Sequence, residues 1–336
     1  MGQLTNNAGI PLSMAVWLAE DTYQKHPNPN AISVTGLLKS TRSIILGKRA
    51  NAGASLEDIE GDIQDKIASK FGTALHDSIT SAWVNNFRSS MLKLGYPQSA
   101  IDSIAVNPTD QFMLDNPDMI AVYLENRSER EVAGHIVTGE YDFIADGAIE
   151  DFKSTGTYSF TSRTNDEKYI LQMSIYRWLN PEKVTRDDAS IGFIFTDWSK
   201  LSSIKSADYP QSRVLGYPLE LMSLIETDAW IKAKISDISL CDVLDEKELP
   251  PCTPEDLWQK PSDFKYYKNP AKAEEKGARS TKNFTTMVEA QKRMADDGYV
   301  GVVKEVKGKA IFCKFCPGFA ACTQKDQLIE DGILTL

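Results

Sequence analysis

The sequence predicts an α/β fold with a helical N-terminal part and a cysteine-bearing, metal-binding C-terminal region. Three observations predict it. Apolar residues follow a helical period up to Tyr96 and a strand period after Glu131. Asp146-Gly147 stands between two β-like runs, Glu131–Ala145 and Ala148–Phe152, a strong hairpin signal. Three cysteines, Cys313, Cys316 and Cys322, fall within ten residues near the C-terminus.

Taken in order, residues 10–25 carry a helical pattern that Pro27 and Pro29 break. Ala31–Leu46 contains a Ser/Thr start and a basic helix with Lys39 and Arg42. Residues 56–95 read as mostly helical, with Leu75, Ile79 and Trp83 at four-residue spacing, and Tyr96-Pro97 closes them. Beyond the hairpin, residues 166–179 return to a helix that ends before Pro181. Ile191–Phe195 is a short apolar run expected to be a buried strand, and Leu219–Ile235 is expected to be helical. The proline-rich loop from Leu249 to Pro254 is a stiff connection. The expected organisation is an N-terminal helical region contributing to the core (1–105), a central core (106–240) and a basic, metal- or cluster-binding region (241–336).

The chain has 336 residues, 42% of them hydrophobic, enough for a sizeable core. No run of about 18 apolar residues exists, so no spanning helix and no membrane partner are expected. The apolar stretch Gly9–Ala19 follows no basic region and is closed by Glu20 and Asp21, as an amphipathic helix would be and a signal peptide would not. Five cysteines, an odd number, argue against a disulfide framework and for a reducing, cytoplasmic compartment. The net charge of −10 is not that of a general nucleic-acid binder. Yet residues 260–314 hold 13 Lys and Arg against 7 Asp and Glu. That segment suits either local phosphate contact or a solvated, Lys-rich surface.

The hairpin carries the chemistry. A two-residue turn at Asp146-Gly147 sets Asp142 across from Asp151, with Lys153 and Glu140 on the same face. Tyr141, Phe143 and Phe152 then point to the other face. Directly opposed carboxylates are unfavourable unless a cation lies between them. A hard divalent ion such as Mg²⁺ or Mn²⁺ fits oxygen donors best. A solvent-exposed polar face with a Lys–Asp pair is the other reading of the same residues.

Gly139-x-x-Asp142, a short hairpin and Asp151-x-Lys153 together resemble the PD-(D/E)xK nuclease superfamily, and within it the RecB-like exonucleases, including CRISPR-associated and phage-encoded ones. Further elements follow in the family's order. Gly72-Thr73-Ala74-Leu75-His76 resembles the upstream Gly-Thr-x-x-His element. Gln172-Met173-Ser174-Ile175-Tyr176 resembles the downstream Gln-x-x-x-Tyr helix. Ser33-Val34-Thr35 with Leu37, Leu38 and Arg42 resembles the start of the family's N-terminal helix. The likeness spans roughly residues 30–325.

That resemblance implies a restriction-endonuclease-like core, a mixed central sheet flanked by helices. It implies a Mg²⁺- or Mn²⁺-dependent DNA exonuclease acting on single-stranded DNA or duplex ends in phage-type recombination or DNA processing, in a bacterial host cytoplasm if phage-encoded. His76, Asp142, Asp151 and the backbone carbonyl of Phe152 would hold the metal. Lys153 would position the attacking water, with Gln172 and Tyr176 orienting it and Glu140 as its partner. A structure-selective endonuclease on the same fold and a catalytically silent DNA-binding recombination partner are the alternatives. A recombination-protein partner or a homo-oligomer is also expected from the family.

Cys313-x2-Cys316-x5-Cys322 supplies three thiolates and needs a fourth ligand. Cys252, in the proline-stiffened loop, is preferred over Cys241, which reads as a packed small residue. The resemblance implies a [4Fe–4S] cluster, and structural Zn²⁺ is the alternative. The family's first cluster cysteine lies upstream of the core, whereas no cysteine precedes Cys241 here. Finally, Phe264-Lys265-Tyr266-Tyr267-Lys268 interleaves aromatics with lysines. Lys265, Tyr266, Lys268 and Arg42 are the candidate DNA contacts. The other reading of that segment is a strand with one buried aromatic face.

Overall fold

The computed structural model describes residues 3–20, 26–53, 59–275 and 277–335. The expected helical patterns over 10–25 and 56–95 therefore fall partly outside the described residues. In chain order the elements are β1 (Gln3–Thr5), α1 (Leu12–Ala19), β2 (Ala31–Ser33), α2 (Val34–Leu37), α3 (Thr41–Gly53), β3 (Ile59–Asp62) and α4 (Ile67–Lys93). Next come α5 (Gln98–Asp102), β4 (Ile104–Val106), α6 (Asp110–Asp115), β5 (Ile120–Val132), β6 (His135–Ala145), β7 (Ala148–Thr155), α7 (Thr157–Ser162) and α8 (Asp166–Leu179). The remainder are β8 (Asp188–Phe195), α9 (Lys200–Lys205), β9 (Val214–Glu220), α10 (Leu224–Asp242), β10 (Asp263–Tyr267), α11 (Ala271–Glu274), β11 (Lys282–Phe284), α12 (Met287–Asp296), β12 (Val302–Val306) and α13 (Thr323–Glu330). Among the described residues no helix is long and apolar enough to cross a membrane.

The chain divides into two compact units, one of residues 1–38 and 55–236, the other of residues 39–54 and 237–336. The first is a mixed α/β unit. Its seven-stranded sheet runs β4-β5-β6-β7-β8-β9, and β2 pairs with β6 off that path. The sheet is mixed: β4/β5, β7/β8 and β2/β6 are parallel pairs, and β5/β6, β6/β7 and β8/β9 are antiparallel. On α4, Trp83, Phe87 and Met91 pack against Ile104, Val122, Leu124 and Phe143 of the sheet. The α8 helix is the crossover between the parallel strands β7 and β8 and buries Met173, Ile175, Tyr176 and Trp178. Acidic residues open it (Asp166, Glu167) and Arg177 closes it, matching the helix dipole.

The hairpin turn forms as its residues require. Asp146 and Gly147 both have positive φ, +49° and +72°, and Ala145 pairs with Ala148, so the loop is the two-residue type with both central residues left-handed. Other expectations need correction. Within Ala31–Leu46, where a basic helix is expected, β2 comes first and two helices follow, Arg42 lying on α3 and Lys39 between α2 and α3. Residues 59–62 form a strand parallel to β1 and not the start of a helix. Glu131 belongs to β5, because Ala133 and Gly134, at φ +47° and +79°, turn the chain before β6 begins. The Leu219–Ile235 helix begins later, at Leu224, and β9 takes the residues before it.

The second unit carries a three-stranded antiparallel sheet in the order β11-β10-β12. It also holds a small core in which Leu257, Ala310, Cys313, Leu328, Ile333 and Leu334 pack together.

Candidate active site and cysteine pocket

One edge of β6 runs along β5 for almost its whole length. The other edge is shared. Phe143–Ala145 pair with β7, and Ile136–Thr138 pair with β2. Residues 139–142 lie between the two ladders. Asp142 is next in register with Asp151, but the ladder stops at Phe143 and Glu150. There the Asp142 carboxylate replaces the missing backbone acceptor, taking the Phe152 N–H on Oδ2 at 2.7 Å. Gly139 permits the fork to close. A Cβ there would stand 2.6 Å from Val34 Cγ2 and 2.7 Å from Tyr176 Cε1, so any other residue would push α2 or α8 away.

Around this fork the sequence-selected residues meet. On α4, His76 places Nδ1 3.3 Å from Asp142 Oδ1 and Nε2 3.1 Å from the Phe152 carbonyl oxygen. The hydrogen bond to Asp142 raises the imidazole pKa, burial opposes it, and the charge of Asp142 adds to the rise. On β7, Lys153 Nζ lies 2.5 Å from Asp151 Oδ2. Gln172 Nε2 donates to Asp151 Oδ1 at 3.1 Å and contacts the Tyr176 hydroxyl at 3.3 Å. Asp151 is only 2% exposed. Burial pushes its carboxyl up, Lys153 holds it down, and the net direction is up. For Lys153, burial pulls the amine down, but the neighbouring Asp151 more than offsets it. Burial drives the Tyr176 phenol up, so it stays a neutral hydrogen-bonding group.

This constellation offers one imidazole, two carboxylates and a main-chain carbonyl, the donor types of a hard divalent ion. Both ring nitrogens of His76 are hydrogen-bonded to other members of the set, so an ion would have to take one of those positions. Among the described residues no three His, Cys, Asp or Glu side chains are gathered as a ready-made shell for a metal ion.

Glu125 also stands at this fork. It lies on β5 between Leu124 and Asn126, which pair with Phe143 and Tyr141, and so faces Asp142 in register. Its φ of +38° is rare for a residue with a side chain and marks local strain. Burial raises its carboxyl pKa, Thr80 hydrogen-bonds to it, and His76, Asp77 and Asp142 are its charged neighbours. No spacing motif marks it. Glu140, expected to partner Lys153, instead pairs with Arg127 across β5 and β6 at 3.4 Å.

The candidate DNA contacts separate. Tyr266 is fully buried and its hydroxyl donates to Asp297 at 3.0 Å, so its ring is not available for base stacking. The interleaved segment is the middle strand of the small sheet, with Tyr266 and Tyr267 buried and Phe264 half-buried. Lys265 is half-buried, and Lys268 is exposed with Nζ 3.8 Å from Asp297. Arg42 is 4% exposed, its guanidinium bound to the carbonyls of Glu246 and Leu249 and to the Glu246 carboxylate, so it cannot reach a nucleic acid.

In the second unit Cys252, Cys313, Cys316 and Cys322 line one pocket with Arg42, Ser43, Leu257, Phe312 and Phe319. Cys241 is buried on α10 and does not line it. None of the five cysteines is in a disulfide. Burial pushes the Cys313 thiol up to about 11, with the three other pocket cysteines adding to the rise. Cys252 is raised for the same reason, against a hydrogen bond from Ser40. Four soft donors line one pocket, and a bound cationic centre would reverse the balance that burial sets against thiolate at Cys252 and Cys313.

No family model and no curated protein matches the chain. Among solved structures, one of a protein named SSO0001 is 16% identical and covers 68% of this chain and 87% of its own, with a TM-score of 0.39. A phage related exonuclease from Haemophilus somnus 129PT is 17% identical and covers 59% of this chain and 91% of its own, with a TM-score of 0.24. With TM-scores below 0.5, neither likeness bears on fold or function.

Proposed function

We propose that the chain is a metal-dependent deoxyribonuclease, an exonuclease hydrolysing phosphodiester bonds at the fork between β6 and β7. One observation carries this reading. A buried Asp151, clamped between Lys153 and Gln172, stands in register beside an Asp142 that has left its strand ladder to meet His76. A structural salt bridge needs neither the interrupted ladder nor the histidine. Asp142, Asp151, His76 and the Phe152 carbonyl would hold Mg²⁺ or Mn²⁺. When bound, such an ion acidifies a water and neutralises a scissile phosphate.

The chain's own side chains do the rest. Lys153 orients the attacking water and stabilises the charge that develops on phosphate oxygens. Gln172 fixes the Asp151 carboxylate, and Tyr176 fixes Gln172. The choice of DNA and of exonucleolytic action rests on the resemblance of the ordered motifs from Gly72 to Tyr176. The cysteine pocket is read as a [4Fe–4S] site, with structural Zn²⁺ the alternative: four cysteines lining one pocket support a metal centre, and the choice of a cluster rests on the resemblance of the cysteine spacing.

The test is cleavage of end-labelled linear and circular single strands with Mg²⁺ or Mn²⁺. Shortening of the linear strand from its end, abolished by chelator and by Asp142→Ala, is expected. Metal-dependent cleavage that persists in Asp142→Ala would remove the site from the reaction. Opening of the circle would replace the exonuclease reading with an endonuclease.

A further inference from the structure

The first turn of α3 touches three of the four pocket sulfurs. Ser40 Oγ lies 3.1 Å from Cys252 Sγ, Arg42 Nε–H donates to Cys322 Sγ at 3.3 Å, and Ser43 Oγ lies 3.5 Å from Cys316 Sγ. Ser40 also caps the helix, its hydroxyl accepting the Ser43 N–H at 3.1 Å. The loop bearing Cys316 and Cys322 is pressed onto this helix. A Cβ on Gly318 would stand 2.3 Å from Leu46 Cβ, and one on Gly47 would stand 2.9 Å from Pro317 Cγ.

Arg42 is the unusual member. Burying a guanidinium is costly unless its donors are satisfied. Here Nη1 donates to the carbonyls of Glu246 and Leu249, at 3.2 and 3.0 Å, and Nη2 pairs with the Glu246 carboxylate. Glu246 in turn accepts the backbone N–H of Thr323, the residue after Cys322, at 2.8 Å. The planar fork is thus fixed from behind, and its remaining edge presents Nε–H to a sulfur. The other cation lining the pocket, Lys325, is paired with Asp326 at 2.7 Å.

We propose that Arg42 is the positioning residue of the cysteine centre: with its guanidinium anchored on Glu246, it presents Nε–H to the Cys322 sulfur and holds that ligand of an iron–sulfur cluster in place. The proposal rests on the cluster reading of this pocket. Hydrogen bonds to ligating sulfurs favour the more negative, reduced form and so raise a cluster's potential. Removing an outer partner of a ligand weakens metal retention by roughly ten- to a hundred-fold.

The experiment compares full-length wild type, Arg42→Gln and Arg42→Lys after anaerobic reconstitution with iron and sulfide, with circular dichroism as the check on folding. The readouts are the midpoint potential and the rate at which the visible absorption is lost in air. Arg42→Gln is expected to have a more negative potential and to lose its absorption about tenfold faster. Arg42→Lys keeps a charge but not the Nε donor, and its values are expected between the other two. Should Arg42→Gln not fold, Arg42→Lys decides, with a lowered potential and faster loss expected. Wild-type potential and lifetime in either folded variant would overturn the proposal while leaving the cluster in place. A wild-type protein that takes up zinc but never an iron–sulfide chromophore would overturn the cluster reading first, and this proposal with it.

Discussion

His76 shows what one residue does to the site. Its ring bridges Asp142 and the Phe152 carbonyl, and the Asp142 hydrogen bond raises its pKa against the effect of burial. Its folded-state value lies above the unfolded one. The contact therefore contributes stability below the ordinary histidine pKa of about 6.5 and loses it as pH rises through the raised value. Metal binding runs the other way, because an ion needs a deprotonated ring nitrogen. On the proposed reading, Mn²⁺ affinity rises with pH while His76 and Asp151 lose their protons and then levels off. A titration of Mn²⁺ binding against pH checks this, and a flat wild-type profile would remove His76 from the metal set. Gly139 acts by absence. Gly139→Ala forces Val34 or Tyr176 aside and is expected to cost about 1–3 kcal/mol in urea unfolding. Single residues were also where the sequence misled. Arg42 and Tyr266 read as DNA contacts because residue type and neighbours suggest exposure, whereas burial depends on what the rest of the chain lays over them.

At the scale of elements, the hairpin was legible because its constraints are local. Asp-Gly demands two left-handed residues, and the turn then dictates the register that brings Asp142 toward Asp151. The register ends one pair earlier than the spacing implies, since nothing local says that β2 takes over the edge of β6 at Ile136. The long strand β5 was missed for a related reason. Glu125, Arg127, Glu129, Arg130 and Glu131 crowd its second half and mask the alternation, while its pairing with β6 is a tertiary fact. Glu125 was lost with it. The turn makes its own prediction: Gly147→Val puts a β-branched residue at φ +72° and sets a Cβ against Thr185 Oγ1. Urea unfolding is expected to show a loss of at least about 1 kcal/mol, and an unchanged midpoint would show that the turn relaxes freely.

Over the whole molecule, two units with separate cores carry separate chemistries, a carboxylate–lysine–histidine centre in one and a thiol pocket in the other. The cysteine spacing pointed to a metal site and to a missing fourth ligand. The pocket has Cys252 in its lining and leaves Cys241 out, a distinction that depends on how the loop after Leu249 folds back. Iron content after reconstitution checks this. Cys252→Ser is expected to lose most of the bound iron and Cys241→Ser to keep it, and the reverse result would exchange the two ligands.

On the proposed reading the Asp151–Lys153 pair does chemistry and does not merely hold the fold together. The direct measurement is cleavage of a labelled oligonucleotide by folded Lys153→Ala at saturating Mn²⁺, with DNA binding measured in parallel. DNA affinity like that of the wild type is expected, with cleavage slowed by roughly a hundred-fold or more. Cleavage at the wild-type rate in that variant would contradict that reading.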